Sequence, residues 1–151
     1  MRRNLFASGL ALLLTGCSQP VLTITSPMGP ATVIDGDTIQ IGKRRMQLYG
    51  IKSPDQEEPG FAEARKALEA VVGGDTVLCF ILEPQRDAGA VCELQAPTGT
   101  KDIAEPLLAQ GLAKVDRTFA DVWARRLARY EALEARARAD CKGLWKDQPE
   151  C

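Results

Sequence analysis

The apolar pattern changes period several times along the chain, and the order of those changes narrows the fold. Residues 31–35 and 37–42 read as a β-pair turning about Asp35-Gly36, because Asp-Gly between alternating segments favours a tight turn. Residues 45–51 read as a third strand, and Pro54, Pro59 and Gly60 then break the pattern. Phe61, Ala64, Leu68 and Val71 recur at helical spacing, which predicts a helix over 60–72 ended by Gly73-Gly74. Residues 76–82 and 90–95 return to strand character. Pro106 suits the first turn of a short helix closed by Gly111. A long helix is expected over 118–139, with Phe119, Trp123, Leu127, Tyr130 and Leu133 on its apolar face. Five strands interrupted by one helix and followed by two more suit an α+β, mainly β fold: a small five-stranded OB-type barrel.

The first 16 residues do not belong to that barrel. Arg2 and Arg3 precede an apolar run from Leu5 to Leu14, too short for a membrane-spanning helix and suited to a signal segment. The run ends in Leu14-Thr15-Gly16-Cys17, which has the form of a bacterial lipobox. Residues 1–16 are therefore expected to be a lipoprotein signal peptide. Cys17 is expected to carry the lipid, residues 17–30 to form a tether, and 31–151 the domain. Multiple acyl chains anchor a protein stably. Ser18 after the cysteine is compatible with sorting to the outer membrane, so the expected address is the cell envelope, on the periplasmic side of that membrane.

Cleavage would leave 135 of the 151 residues, one domain's worth. Losing Arg2 and Arg3 reduces 19 basic residues to 17 against 20 acidic, a net charge of −3. That balance gives no support for tight nucleic-acid binding, although it permits a local basic patch. With Cys17 lipidated, Cys79, Cys92, Cys141 and Cys151 remain, an even set expected to pair outside the cytoplasm. Cys79 shares a strand face with Val77 and Ile81, and Cys92 with Ala90 and Leu94. The favoured pairing is thus Cys79–Cys92 with Cys141–Cys151, among three connectivities. The chain has no histidine, which excludes Ser-His-Asp and Cys-His catalysis and any histidine-ligated zinc. The arginine-rich stretch after Thr118 is interleaved with Asp121, Glu131 and Glu134 and reads as a salt-bridged packing helix.

Three segments carry chemistry: Ala31-Thr-Val-Ile-Asp35-Gly-Asp37-Thr38, Gln47-Leu-Tyr-Gly50-Ile51-Lys52-Ser53-Pro54-Asp55, and Leu107-Leu-Ala-Gln-Gly111-Leu-Ala-Lys-Val115, followed by Gly143-Leu144-Trp145. In this order and spacing they resemble the thermonuclease family of staphylococcal-nuclease-like domains. That resemblance implies calcium-assisted phosphodiester hydrolysis, with carboxylates holding a hard cation and two arginines stabilising transition-state charge. Asp37 is expected as a direct metal ligand, with Asp35 acting behind it. Ser53 stands where the family offers a main-chain carbonyl to the metal, and Asp55 stands at the position of the water-activating glutamate.

Three positions depart from the family. Gln47 replaces the first clamp arginine, Lys52 the second metal carboxylate, and Ala90 the second clamp arginine. A lysine facing Asp37 would repel calcium and fill its place. Each unit charge pair at about 4 Å is worth about 4 kcal/mol at an effective dielectric near 20. Each lost clamp typically costs about 10²–10³ in rate. Arg45 and Arg86 are candidate surrogates, although Arg44, Arg45 and Arg86 read first as solvated surface charge.

The function expected from this pattern is a lipid-anchored, nuclease-like domain with impaired catalysis, serving as a binding or scaffold module. Membrane contact would come through Cys17, nucleic acid would bind weakly, a protein partner would use the barrel's ligand face, and the chain would act as a monomer. One alternative is an active calcium-dependent nuclease for DNA or RNA with a rearranged site. Another is an accessory or inhibitory lipoprotein.

Overall fold

The computed structural model describes residues 23–83, 89–97, 99–119 and 123–151. Its strands are β1 (Thr23–Thr25), β2 (Met28–Val33), β3 (Thr38–Ile41), β4 (Arg44–Gln47), β5 (Ile51–Lys52), β6 (Thr76–Glu83), β7 (Ala90–Ala96), β8 (Gly99–Asp102) and β9 (Lys114–Val115). Its helices are α1 (Phe61–Val72), α2 (Glu105–Ala109) and α3 (Ala124–Ala139), with a 3-10 turn at Gly143–Trp145. None of these helices is long and apolar enough to cross a membrane.

The main sheet runs β4-β3-β2-β6-β7-β8, antiparallel throughout, with β1 also on β6. A parallel bridge between Leu48 and Ala90 then joins the end of β4 to the start of β7. The Tyr49 N–H donates to the Ala90 carbonyl at 2.9 Å across the same seam. This contact curls the sheet into a barrel, the OB-like α+β architecture expected. Alternation fixes the register: Val33 faces Ile39, and Ile39 faces Met46, all buried. A one-residue slip would turn all three to solvent.

Helix α1 lies against the barrel through Ala64, Leu68 and Val72, which are buried one turn apart. It ends at Gly73, whose left-handed backbone lets its N–H reach the Glu69 carbonyl at 2.9 Å. Both expected disulfides are present. Cys79 and Cys92 are direct partners across β6 and β7, and Cys141–Cys151 closes the C-terminal tail.

Helix α3 packs by Tyr130, Glu134 and Ala137, and ion pairs tie it to the barrel, to α2 and to the segment before it. Arg126 bridges Asp102 and Glu93, Arg129 pairs with Glu105, and Glu131 takes Arg117. Glu134 instead accepts the Val115 N–H at 2.9 Å and so pins β9 to the helix.

The glycine motif near the C-terminus has a packing cause. The Leu144 N–H donates to the Gly111 carbonyl at 2.8 Å, and a Cβ on Gly143 would lie 2.4 Å from that same oxygen. The two backbones cross there, and only glycine fits.

Several boundaries differ from expectation. The sheet begins at Thr23, not at residue 31. Residues 23–30, expected in the tether, form β1 and the start of β2 along β6, broken at Pro27. The signal segment, Cys17 and residues 18–22 lie outside the described residues, as does Asp121. The expected third strand, 45–51, splits at Gly50, whose positive φ of 68° turns the chain into β5 and on to a pairing with β9. Strand β8 was not expected, because Gly-Thr-Lys-Asp carries no apolar alternation. Helix α3 starts at Ala124 rather than 118. Before it, the Asp116 carboxylate takes both the N–H and the hydroxyl of Thr118, and the Phe119 ring packs 5.7 Å from that of Tyr49.

Candidate functional site

The Asp35-Gly36-Asp37 turn joins β2 to β3 and is pressed against two neighbours. A Cβ on Gly36 would lie 2.6 Å from the Ala64 Cβ and 2.7 Å from the Ser53 Cβ. The turn therefore needs glycine, and the same close packing buries the next residue. Asp37 is 4% exposed. Its Oδ2 accepts the Ser53 N–H at 2.7 Å and its Oδ1 the Thr38 hydroxyl at 3.0 Å. Burial pushes the Asp37 carboxyl above its ordinary range, Asp35 adds to that, and the Ser53 N–H pulls against it. Asp35 caps its own turn, its Oδ1 accepting the Asp37 N–H at 3.1 Å.

Lys52 ends β5 and reaches back over the loop beyond that strand. Its Nζ lies 2.7 Å from Asp55 Oδ1. That hydrogen bond holds the Lys52 ammonium above its ordinary pKa, and the charges on Asp37, Asp55 and Asp35 reinforce it. The Asp55 N–H donates to Glu58 Oε2 at 2.7 Å. Glu58 is thus a fourth carboxylate beside the site, one not expected from the motif. Its place three residues after Asp55 in a Pro-rich turn is the signal in the sequence that points to it. Ser53 is buried, and its amide rather than its hydroxyl engages Asp37.

The two expected clamp positions do meet. Gln47, on the last residue of β4, and Ala90, on the first of β7, line one cleft of about 400 Å³ with Lys43, Arg44 and Arg45. Ala90 is 2% exposed, because the barrel closes on it through Leu48 and Tyr49. Arg45 follows the strand face of Gln47, and its Nη2 lies 3.6 Å from Asp35 Oδ2. Arg86 lies outside the described residues. A second cleft, of about 730 Å³, opens on the other side of Ser53, between Lys52, Asp55, Glu58 and the C-terminal Leu144 and Lys146. A third, of about 910 Å³, lies over the Arg126–Asp102 pair and shares no lining residue with either.

Calcium prefers six to eight oxygen ligands, several of them carboxylate. Among the described residues no group of three or more acidic or thiol side chains is placed to hold a metal. Asp37 spends both oxygens on protein donors, Asp35 faces Arg45, and Asp55 faces Lys52. Lys52, at the position where the resemblance expects a second carboxylate ligand, brings a positive charge instead. The residues present do not fit a calcium ion.

The sequence profile described as Staphylococcal nuclease homologue matches residues 45–147, about two thirds of the chain. The chain is also similar to the succinoglycan biosynthesis protein ExoI of Rhizobium meliloti (strain 1021), at 30% identity over 162 residues, covering 98% of this chain and 78% of that protein. Ser53 and the Gly111–Gly143 crossing lie within the profile-matched residues, and the Asp35-Gly36-Asp37 turn precedes them. The chain belongs to the family of staphylococcal nuclease homologues.

Proposed function

We propose that this chain is a lipid-anchored thermonuclease-fold module that binds through its barrel face and no longer hydrolyses phosphodiesters efficiently. One observation carries the reading. The Gln47 and Ala90 positions line a single cleft, and neither brings a positive charge to it. Two preorganised cations aimed at a developing phosphate charge are the largest contribution such a site makes. Without them, Lys43 and Arg45 at the cleft can attract an anionic group but have no geometry fixed on a transition state.

Anchoring would come through Cys17, at the surface of an envelope membrane. The sheet begins at Thr23, only six residues later, and an extended chain spans at most about 3.6 Å per residue. The barrel would thus sit within roughly 20 Å of the bilayer, as a monomer with its ligand face open to a nucleic acid or a protein partner.

The test is cleavage of denatured DNA and of RNA by the full chain in millimolar calcium. Robust cleavage abolished by Asp37→Ala overturns the proposal. Absent cleavage, with measurable oligonucleotide binding that falls on Arg45→Ala, supports it. A second reading, an active nuclease with a rearranged site, draws on Arg45, which shares the cleft with both lost clamps. Under that reading Arg45→Ala abolishes cleavage rather than binding.

A further inference from the structure

We propose that the Lys52 ammonium is the resident cation of this site, standing in for the family's divalent ion, so that the domain neither needs nor holds calcium. This rests on the family assignment of the Lys52 position and is independent of whether any cleavage survives.

Three carboxylates on two segments each already have a partner. Asp55 Oδ1 holds the Lys52 Nζ at 2.7 Å. Asp35 Oδ2 faces the Arg45 Nη2 at 3.6 Å. Asp37 Oδ2 takes the N–H of Ser53, the residue next to Lys52, at 2.7 Å, and its Oδ1 takes Thr38. Asp35 and Asp37, one residue apart on a tight turn, would repel one another in any barrel that left them uncompensated. In a metal-binding relative a divalent ion answers that charge. Here Arg45 answers Asp35 directly, while Lys52, at the vacated ligand position, pairs with Asp55 and acts on Asp35 and Asp37 through its charge alone. Calcium entering this site would have to share the Asp37 oxygens with two protein donors, and it would meet the Lys52 charge. A charge built into the chain also cannot be lost by dilution or chelation, so the fold at this end of the barrel becomes independent of the ion.

The experiment is calcium binding by the full chain purified in detergent, read by calorimetry and by Tm in calcium against EGTA, with no nucleic acid present. The wild type should give no heat and no change in Tm. Lys52→Asp should acquire one site and gain about 3–6 °C in Tm at calcium about tenfold above its Kd. Lys52→Gln removes the charge without adding a carboxylate and keeps the test open should the aspartate variant not fold. It should bind terbium more tightly than the wild type, and Asp37→Asn should remove that binding.

A wild type that binds calcium stoichiometrically, and loses it on Asp37→Asn, overturns the inference. So does a folded Lys52→Asp or Lys52→Gln that gains no metal affinity, since Lys52 would then not be what excludes the ion. The proposed loss of hydrolysis fails separately. A chain that cleaves in EGTA refutes that proposal and leaves this one standing, whereas a chain that binds calcium and cleaves nothing does the reverse.

Discussion

The Asp37 carboxylate accepts the Ser53 N–H at 2.7 Å across 16 residues of sequence, which ties the β2–β3 turn to the segment leaving β5. The bond closes a buried acid against a buried amide. Both would be left costly if separated, yet the acid is also penalised for being charged where it is.

That penalty gives the first prediction. Asn at this position can keep the Ser53 and Thr38 contacts without a buried charge. Asp37→Asn should therefore equal or exceed the wild type in Tm at pH 7. Asp37→Ala, which orphans the Ser53 N–H, should lose about 1–3 kcal/mol. The pH dependence has a defined sign. The folded Asp37 carboxyl titrates above its ordinary value of 3.8, so the folded state binds this proton more tightly than the unfolded chain. The wild type then gains stability from this group as pH falls through the folded pKa towards the unfolded one. Asparagine does not titrate, so its advantage should shrink between pH 7 and pH 4.5. Melting curves of both proteins across that range check it, and an advantage that grows on acidification would refute it.

A second prediction concerns the backbone crossing. Gly42 and Gly143 both have positive φ, at 58° and 53°, but their surroundings differ. A Cβ on Gly42 meets nothing within 4 Å, whereas one on Gly143 meets the Gly111 carbonyl at 2.4 Å. Gly42→Ala should cost only the left-handed backbone penalty, about 1–2 kcal/mol. Gly143→Ala adds a clash with a hydrogen-bonded carbonyl and should cost about 3 kcal/mol or more. Urea unfolding of the two variants separates conformation from packing, and equal losses would sink the packing argument.

The same contrast separates local from global causes in the sequence. The Asp35-Gly36-Asp37 turn was legible because Asp-Gly between alternating strands has a local cause. The disulfide register was legible because strand faces alternate strictly. The position of Lys52 follows from the resemblance, in which Ser53-Pro54 marks the place after it. What could not be read depended on closure. Nothing local says that Ala90 is sealed by Tyr49 or that Gly50 must turn. Residues 23–30 looked like a tether because Pro27 breaks their pattern. β6 supplies a long partner that both fragments share, and the sheet overrides the break. The buried Glu134 looked like part of a surface charge pattern, and only β9 gives it a main-chain partner.

A third prediction comes from that closure. Gln47 is exposed at the end of a strand, so Gln47→Arg should change stability by no more than about 0.5 kcal/mol. Ala90 sits in the seam, and Ala90→Arg should overpack it at a cost of about 1–3 kcal/mol. The clamp is therefore easier to rebuild on one side than the other. Thermal melts of the two single variants test this, and equal tolerance would show that the seam opens readily at Ala90. The triple variant Gln47→Arg, Lys52→Asp, Ala90→Arg should regain calcium-dependent cleavage only in the fraction that remains folded.

The fourth prediction places a stability element away from the site. Arg126 lies between Asp102 and Glu93 and joins α3 to β7 and β8, while the Tyr130 hydroxyl donates to Asp102 at 2.7 Å and the Ala104 N–H donates to it at 2.8 Å. The Asp102 side chain is only 5% exposed, so its charge depends on these donors. Burial pushes the Asp102 carboxyl up, while Tyr130, Ala104 and Arg126 pull it down. Removing the guanidinium leaves a buried carboxylate without its counter-ion, which typically costs about 3–5 kcal/mol. Arg126→Met should therefore destabilise the fold by that order. The double variant Arg126→Met with Asp102→Asn should recover much of the loss, because the amide oxygen can still accept the Ala104 N–H while the amide NH2 donates to the Tyr130 hydroxyl oxygen. By contrast, Arg129→Met breaks a pair on an exposed rim and should leave stability essentially unchanged. A double-mutant cycle in urea measures the coupling. If Asp102→Asn rescues nothing, the loss in Arg126→Met comes from packing of the arginine stem rather than from the stranded charge.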